Sequence, residues 1–477
     1  MTITDDQPPQ HLQSLLQKHN QQHVLKWWPE LQPVQRDQLA AQLEAINLDS
    51  ITRLYEQKTV EQSADNTDSA ADRAVRARPP GHMVRLPAND QQQADWDSAA
   101  RLGNELLADG QVGVILVAGG QGTRLGFPHP KGMFPLGPVT NASLFQLLLD
   151  QVQARAVRSG VVIPYYIMTS DATHDDTVAF FEKNNYFGHN KADIHFFKQG
   201  SMPAVDDATG RLLLKEQDAL CLSPDGHGGL LTALKKAGML QDMATRGIEY
   251  LFYHQVDNPT AIVCDPALIG WHVERKSELT TKVVAKRSAE EKMGIVVDVD
   301  GTTQIIEYSD LPAEVAAKTD DDDNLLLWAG NMAIHVFNRS FLERLTEGEG
   351  LLPFHIAHKK VPHIDADGQP VEPTEPNAYK FERFIFDALP FAERALVVEA
   401  DRAAEFNPVK NADGNDSPAT AQAALTNLHK RWLQQAGASI AEDAVVEISA
   451  LYALSAEDLK GKIDTENEYT GSVYLGD

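Results

Sequence analysis

A chain of 477 residues is longer than one hydrophobic core usually supports, so one large domain with smaller appendages is expected. Its net charge of −26 argues against a nucleic-acid-binding surface, and no run approaches the roughly eighteen apolar residues of a membrane span. Cys221 and Cys264 are too few for a disulfide framework and lack zinc-ligand spacing. MTITDDQPPQ has neither the basic start nor the apolar stretch of a signal peptide, so a reducing cytoplasm is the expected location.

Residues 10–57 carry helical spacing in Leu12, Leu15, Leu16, Leu39, Leu43, Ile46 and Leu48, interrupted at Pro29 and Pro33. This predicts a small helical cap against the main domain. Residues 58–95, with QSADNTDSAAD and ARPPG, are polar and predict a loosely ordered linker. WDSAARLGNELLADG (96–110) reads as a helix closing at Gly110. Val114 to Val117 alternate too little for a half-covered strand and fit one buried on both faces, as in a parallel sheet flanked by helices.

Alternation of helix and strand continues beyond it. SLFQLLLDQVQARAVRSG and DDTVAFFEKNNYFG read as helices, VVIPYYIMTS and YLFYHQVDNP as strands. TKVVAKR, GIVVDVD and TQIIEYS read as short strands, with a hairpin turn at Asp300-Gly301. ALTNLHKRWLQQAG is an amphipathic helix before a mainly β tail. The expected organisation is an N-terminal helical region and linker (1–95), an α/β domain (96–400) and a small C-terminal region with a lysine loop (401–477).

The chemistry concentrates in GVILVAGGQGTRLGFPHPKGMFPLG (113–137), a strand running into a glycine-rich turn. Open α/β sheets put their ligand sites at such carboxyl ends. Gly119, Gly120, Gly122 and Gly126 permit positive φ and let backbone N–H groups converge on an anion. Arg124 adds a planar fork for phosphate oxygens, and Lys131 a mobile point charge. The Walker pattern needs Gly-Lys-Ser/Thr downstream of its first glycine, and no register supplies it. A dinucleotide fingerprint from Gly120 needs glycine at 125, where Leu125 stands. A purely structural strand-to-helix turn is the remaining alternative.

LVAGGQGTRLG followed by PKGMFPLG resembles the signature of the eukaryotic-type UDP-sugar pyrophosphorylases, and most closely their N-acetylhexosamine branch. YYIMTS, FFKQGSMPA, SPDGHGGL, QVDNP, GIVV, IEYSDL, AGN, KFERFIFD and NPVKNADG follow in the family's order between residues 165 and 414. The first hundred or so residues resemble the family only loosely.

The resemblance implies a Rossmann-like nucleotidyltransferase domain with a central mixed, mostly parallel sheet. It implies UTP and a sugar 1-phosphate as substrates, and a UDP-sugar and pyrophosphate as products. An ionised sugar phosphate attacking the α-phosphorus needs no general base, so positioning and charge neutralisation carry catalysis.

On this reading Gly119, Gly120, Gly122 and Thr123 hold the nucleotide, while Arg124, Lys131 and Lys410 act on the phosphates. Lys410 sits in a Pro/Asn/Asp/Gly-rich loop expected to close over the ligand, and Lys380 completes the cations. Gln199 corresponds to the family's uracil-reading glutamine, though alone it is equally a strand-end polar residue. Pro224 and Gly226 belong to a second backbone-exposed loop near uridine and sugar. Asp257 follows an apolar strand, where a carboxylate can hold Mg²⁺ beside the sugar, or simply form a turn before Asn258-Pro259.

His227, Gly294, Glu307, Tyr308, Asn331, Phe384 and Phe386 are the implied sugar contacts. Phe384 and Phe386 share a face in a strand and diverge in a helix, and core aromatics are the alternative. One position departs from the branch: PDGNGG is usual, and this chain has PDGHGG, with His227 as in the glucose branch. N-acetylglucosamine 1-phosphate is the expected acceptor, with glucose 1-phosphate or a broad sugar range as the alternative.

Overall fold

The computed structural model describes residues 7–61, 70–347 and 352–476. The chain groups into two compact units, each built from segments distant in sequence. The smaller joins Met1–Thr67, Gln199–Gly229 and Leu352–Ile385; the larger joins Asp68–Lys198, Leu230–Leu351 and Phe386–Asp477. This grouping differs from the consecutive segments 1–95, 96–400 and 401–477, for a reason visible in the cores.

In the smaller unit, helices Gln10–Lys18, Pro33–Ala45 and Leu48–Glu61 bury Leu12, Leu16, Leu39 and Leu43. The partners of these side chains are Val205, Leu212, Leu220, Tyr379 and Phe381, which later segments supply. An antiparallel sheet of Val205–Asp206, Ala378–Glu382 and His355–Lys359 carries several of them. The N-terminal helices thus share one core with chain that arrives hundreds of residues later.

The larger unit is built on a ten-stranded sheet. Its strands are β1 (Met83–Val84), β2 (Val112–Val117), β3 (Tyr165–Thr169), β4 (Ile194–Lys198) and β5 (Tyr250–Gln255), then β6 (Leu279–Ala285), β7 (Ile295–Val299), β8 (Thr302–Ile306), β9 (Ala329–Asn338) and β10 (Ala395–Glu399). The order is β1-β10-β6-β9-β5-β2-β3-β4, with the β7–β8 hairpin attached to β9. Only β9 runs against its neighbours in that series, so the sheet is mixed and mostly parallel, as expected. Val114, Ile115 and Leu116 have no exposure, which bears out the two-face burial read from their lack of alternation.

Helix α1 (Asp90–Ala108) starts at an Asn89 cap, before the expected Trp96, and its side chain accepts the Gln92 N–H at 3.0 Å. It packs on α3 (Pro266–Glu274) at glycines. A Cβ at Gly103 would lie 1.9 Å from the Pro266 carbonyl oxygen, and one at Gly270 1.8 Å from that of Ala99. Helix α2 (Leu144–Ser159) ends at Gly160 in the left-handed region, φ 70°.

The linker expectation needs correction. Residues 62–69 lie outside the described residues, but Ala70–Arg76 is helical and Met83–Val84 enters the sheet. Ala74 and Ala77 are buried with Ile295, Val297 and Leu327, a burial that small side chains in a polar stretch do not advertise.

Helix α4 (Pro418–Gln435) leads into two short parallel strand pairs. Here Glu447, 3% exposed, accepts the N–H groups of Val139 and Thr140 at 2.7 and 2.8 Å and the Thr140 hydroxyl at 2.5 Å. Burial, and then the Glu447 charge, push the nearby Asp150 carboxyl up to about 7. A carboxyl raised above its unfolded value gives stability that is full below the unfolded value and is lost as pH rises toward 7. Asp150→Asn, which mimics the neutral acid, is therefore expected to stabilise the protein at pH 8 by roughly 1 to 3 kcal/mol. The gain should vanish near pH 4 in denaturant titrations, and a pH-independent gain would contradict this account.

Candidate active site

The glycine-rich turn follows β2 and is stitched by its own main chain. Gly122 N–H donates to the His129 carbonyl at 2.9 Å, Phe127 N–H to Gly122 at 3.1 Å, and Lys131 N–H to Gly120 at 3.0 Å. The hydroxyl of Ser170, just beyond β3, donates to the Gly119 carbonyl at 2.9 Å. Positive φ, expected for several of these glycines, is confined to Gly126 at 67°. The others serve different needs. A Cβ on Gly122 would meet the His129 and Phe127 carbonyl oxygens at 2.9 Å, and one on Gly132 would enter the Phe145 ring at 2.3 Å. Gly120 has no protein atom within 4 Å of that position. The protein does not need glycine there for its own packing, whereas an approaching ligand would.

Thr123 and Arg124 are exposed and Lys131 is half-buried. Among the described residues, neither the Arg124 guanidinium nor the Lys131 ammonium has an ion-pair partner. Cations left unpaired in an acidic protein can meet an anion without first breaking a salt bridge.

The C-terminal ends of β2, β5, β6 and β10 lie at one edge of the sheet. Asp257 follows β5 and is therefore beside the glycine turn, with Val256 N–H donating to Val117 at 3.1 Å. The segment after β10 reaches the same edge, where Val409 N–H donates to the Asp257 carbonyl at 2.7 Å. Lys410, next in sequence, lies with its ammonium 5.6 Å from the Phe406 ring centre. Its own N–H donates to Asp416 at 2.6 Å. The expected closing loop is thus tied down at both ends.

Asn331 opens β9 at that edge, opposite Val283 of β6, and its N–H donates to the Gly294 carbonyl at 2.9 Å. Its side-chain oxygen accepts the Ala333 N–H at 3.0 Å, which leaves the amide nitrogen as the donor for another partner. A Cβ on Gly294 would stand 2.7 Å from a Glu307 carboxylate oxygen, which places these two candidates side by side. Tyr308 is 48% exposed.

The smaller unit carries the remaining candidates. Gln199, 8% exposed, directly follows β4, and Lys380 lies on strand Ala378–Glu382. The loop from Pro224 to Gly229 packs flush on residues 383–385. Gly226, at φ 81°, would bring a Cβ to 2.3 Å from the Arg383 carbonyl oxygen, and Gly228 N–H donates to that oxygen at 2.8 Å. Burial raises the Asp225 carboxyl to about 6.

His227 Nδ1 accepts the Ile385 N–H at 3.1 Å, and its ring stacks on Phe384 at 5.2 Å. Burial, then the neighbouring His355, push His227 down to about 4, so it is a neutral ring with its proton on Nε2. The Oδ1 of an asparagine offers an acceptor at a comparable reach. His227→Asn should therefore keep thermal stability within about 1 kcal/mol, while His227→Ala strands the Ile385 N–H and costs roughly 1 to 3 kcal/mol. Equal melting temperatures for the two variants would refute this role.

Of the two alternatives for Phe384 and Phe386, the shared strand face is excluded. The strand ends at Glu382, a 3-10 turn runs from Ile385 to Phe391, and Phe386 is assigned to the larger unit, 5% exposed.

Sequence reading missed Asn258, Asn407, Glu405 and Lys282, which position the edge. Asn258 is 4% exposed; Lys282 is 1% exposed and bonds Asp265 at 2.6 Å and also Glu405. The only sequence signal was an Asn-Pro pair in both QVDNP and NPVKNADG.

A mostly parallel sheet, a glycine turn and unpaired cations at its carboxyl edge define a nucleotidyltransferase. The family model described as UTP–glucose-1-phosphate uridylyltransferase matches residues 48–472, and the chain belongs to that family. It is 36% identical to UDP-N-acetylhexosamine pyrophosphorylase-like protein 1 of Homo sapiens, with 94% of each chain covered. It is 37% identical to UDP-N-acetylglucosamine pyrophosphorylase of Saccharomyces cerevisiae, over 91% of this chain and 94% of that one. The crystal structure of the UDP-N-acetylglucosamine pyrophosphorylase from Trypanosoma brucei in complex with an inhibitor superposes with a TM-score of 0.83 at 25% identity, covering 100% of this chain and 99% of that one. Among the described residues, no helix is long and apolar enough to cross a membrane.

Proposed function

We propose that this uridylyltransferase joins UTP to N-acetylglucosamine 1-phosphate. A sugar phosphate oxygen forms a bond to the α-phosphorus, the bond to the β-phosphate oxygen breaks in line, and pyrophosphate leaves with its electron pair. The observation that carries the reading is the sheet edge where unpaired Arg124 and Lys131 stand with Asp257 and Lys410. Such an edge can neutralise a triphosphate without any proton transfer. The names of relatives 36% and 37% identical over nearly the whole chain supply the acceptor.

In this scheme the open face at Gly120 admits the nucleotide, Arg124 meets the departing phosphates, and Lys131 bridges the α-phosphate and the incoming phosphate. Lys410 adds charge from the other side of Asp257. Gln199 reads the uracil edge, the 224–229 loop backs the uridine, and Asn331 and Glu307 meet the sugar alcohols.

Mg²⁺ fits the donor set as a companion of the triphosphate. Among the described residues no group of three or more His, Cys, Asp or Glu forms a cage, while the Asp257 carboxylate is half-exposed and has no ion-pair partner. Mg²⁺ commonly takes one or two carboxylates plus phosphate oxygens, and it would neutralise charge on the departing pyrophosphate. A reducing cytoplasm suits Cys221 and Cys264, both free and buried.

Glucose 1-phosphate is the second reading, favoured by His227. Against it, Nδ1 of that ring is already engaged by a main-chain N–H. The test is pyrophosphate release from UTP and Mg²⁺ with N-acetylglucosamine, N-acetylgalactosamine and glucose 1-phosphates at equal concentration. Highest kcat/KM on N-acetylglucosamine 1-phosphate is expected; preference for glucose selects the second reading, and no activity on any removes both.

A further inference from the structure

We propose that Asn258 is a positioning residue that fixes Lys410 beside Asp257 through a buried amide clamp. The inference rests on the reading that Lys410 acts in uridylyl transfer.

Asn258 is 4% exposed and uses both ends of its amide on one later segment. Its nitrogen donates to the Glu405 carbonyl at 2.7 Å, and its oxygen accepts the Asn407 N–H at 3.1 Å. One side chain thus satisfies a carbonyl and an N–H two residues apart, much as a neighbouring strand would. The main chain supplies the next rung, Val409 N–H to the Asp257 carbonyl at 2.7 Å. Thr260, also 4% exposed, closes the array: its hydroxyl donates to the Asn258 oxygen at 3.2 Å and accepts from the Asn407 amide nitrogen at 3.1 Å.

The consequence is chemical. Residues 405–409 are laid along residues 257–260 by groups other than the Asp257 carboxylate and the Lys410 ammonium, which stay available for phosphate and its ion. The main-chain positions that carry them are set before any ligand arrives, as preorganised electrostatic stabilisation requires. Among side chains of this length, only asparagine brings a donor and an acceptor together. Aspartate would put an oxygen against the Glu405 carbonyl, and alanine would leave that carbonyl and the Asn407 N–H unpaired inside the protein.

The test is a double-mutant cycle. Asn258→Asp and Asn258→Ala are made alone and with Lys410→Ala, and kcat, KM for UTP and melting temperature are measured on the full chain. Alone, each should lower kcat roughly ten- to a hundredfold with KM for UTP changed less than about threefold. In the Lys410→Ala background the same change should lower kcat by less than about twofold, because the lysine through which Asn258 acts is gone. Equal losses in both backgrounds, or no loss alone, would overturn the proposal.

Should the Asn258 variants fail to fold, Asn407→Ala keeps its main-chain N–H on Asn258 but removes the side-chain amide that ties residue 407 to Thr260 at 3.1 Å, loosening the same array with a milder burial penalty. The same dependence on Lys410 is expected, and additivity refutes the clamp. Full turnover in Lys410→Ala by itself would instead remove Lys410 from the proposed reaction, and this inference with it.

Discussion

Replacing Lys131 with alanine is expected to lower kcat by roughly 30- to 1,000-fold, or about 2 to 4 kcal/mol, while UTP binding remains measurable. The magnitude is that of one well-placed donor aimed at charge that develops in the transition state. The geometry keeps the experiment interpretable. Lys131 is held by its backbone N–H on the Gly120 carbonyl, and Gly132 behind it fits against the Phe145 ring. Neither contact involves the ammonium, so the turn keeps its shape when the charge is removed. Titration of UTP into the variant and single-turnover pyrophosphate release separate binding from chemistry. Unchanged turnover would remove Lys131 from the mechanism, and a proportional loss of binding and turnover would make it a ground-state contact.

The second large effect is on stability. Lys282→Met should destabilise the protein by about 3 to 5 kcal/mol, because removing one member of a buried ion cluster leaves uncompensated charge. Lys282 is 1% exposed and bonded to Asp265 and Glu405; Arg155 adds a second buried cation near Asp265. The four formal charges cancel. Attraction to the two carboxylates holds the Lys282 ammonium above its ordinary value, and burial drives Glu405 upward. Adding Glu405→Gln to Lys282→Met should therefore recover part of the loss in urea unfolding. A double variant less stable than Lys282→Met alone would contradict the charge argument.

The order of elements was legible because strong periodicity and punctuation act locally. Val114 to Val117 lacked alternation, and Val114 to Leu116 are buried on both faces; Gly110 and Gly160 end their helices in the left-handed region. The glycine turn was legible as a block, but the reason for each glycine was not. Gly122 and Gly132 answer to crowding by His129 and Phe145, partners that a linear pattern does not name.

Long-range pairing hid the rest. The smaller unit needs three separated segments to complete one core, so reading consecutive domains could not find it. Lys282, in a run of Val and Thr, looks like the exposed face of a strand; only the arrival of Asp265 and Glu405 makes its burial tolerable. Asn258 lay beside Asp257 and read as turn chemistry, since its partners stand 147 and 149 residues downstream.

Glu447 gives the segment after the glycine-rich turn a history as well as a support. The carboxylate that receives the Val139 and Thr140 amides, a few residues past Lys131, is translated 307 residues after Thr140. Until Glu447 has been made, the chain carries the glycine-rich turn without this anchor. The support of residues 139 and 140 is therefore a long-range contact, made only once the chain 307 residues beyond Thr140 has been synthesised.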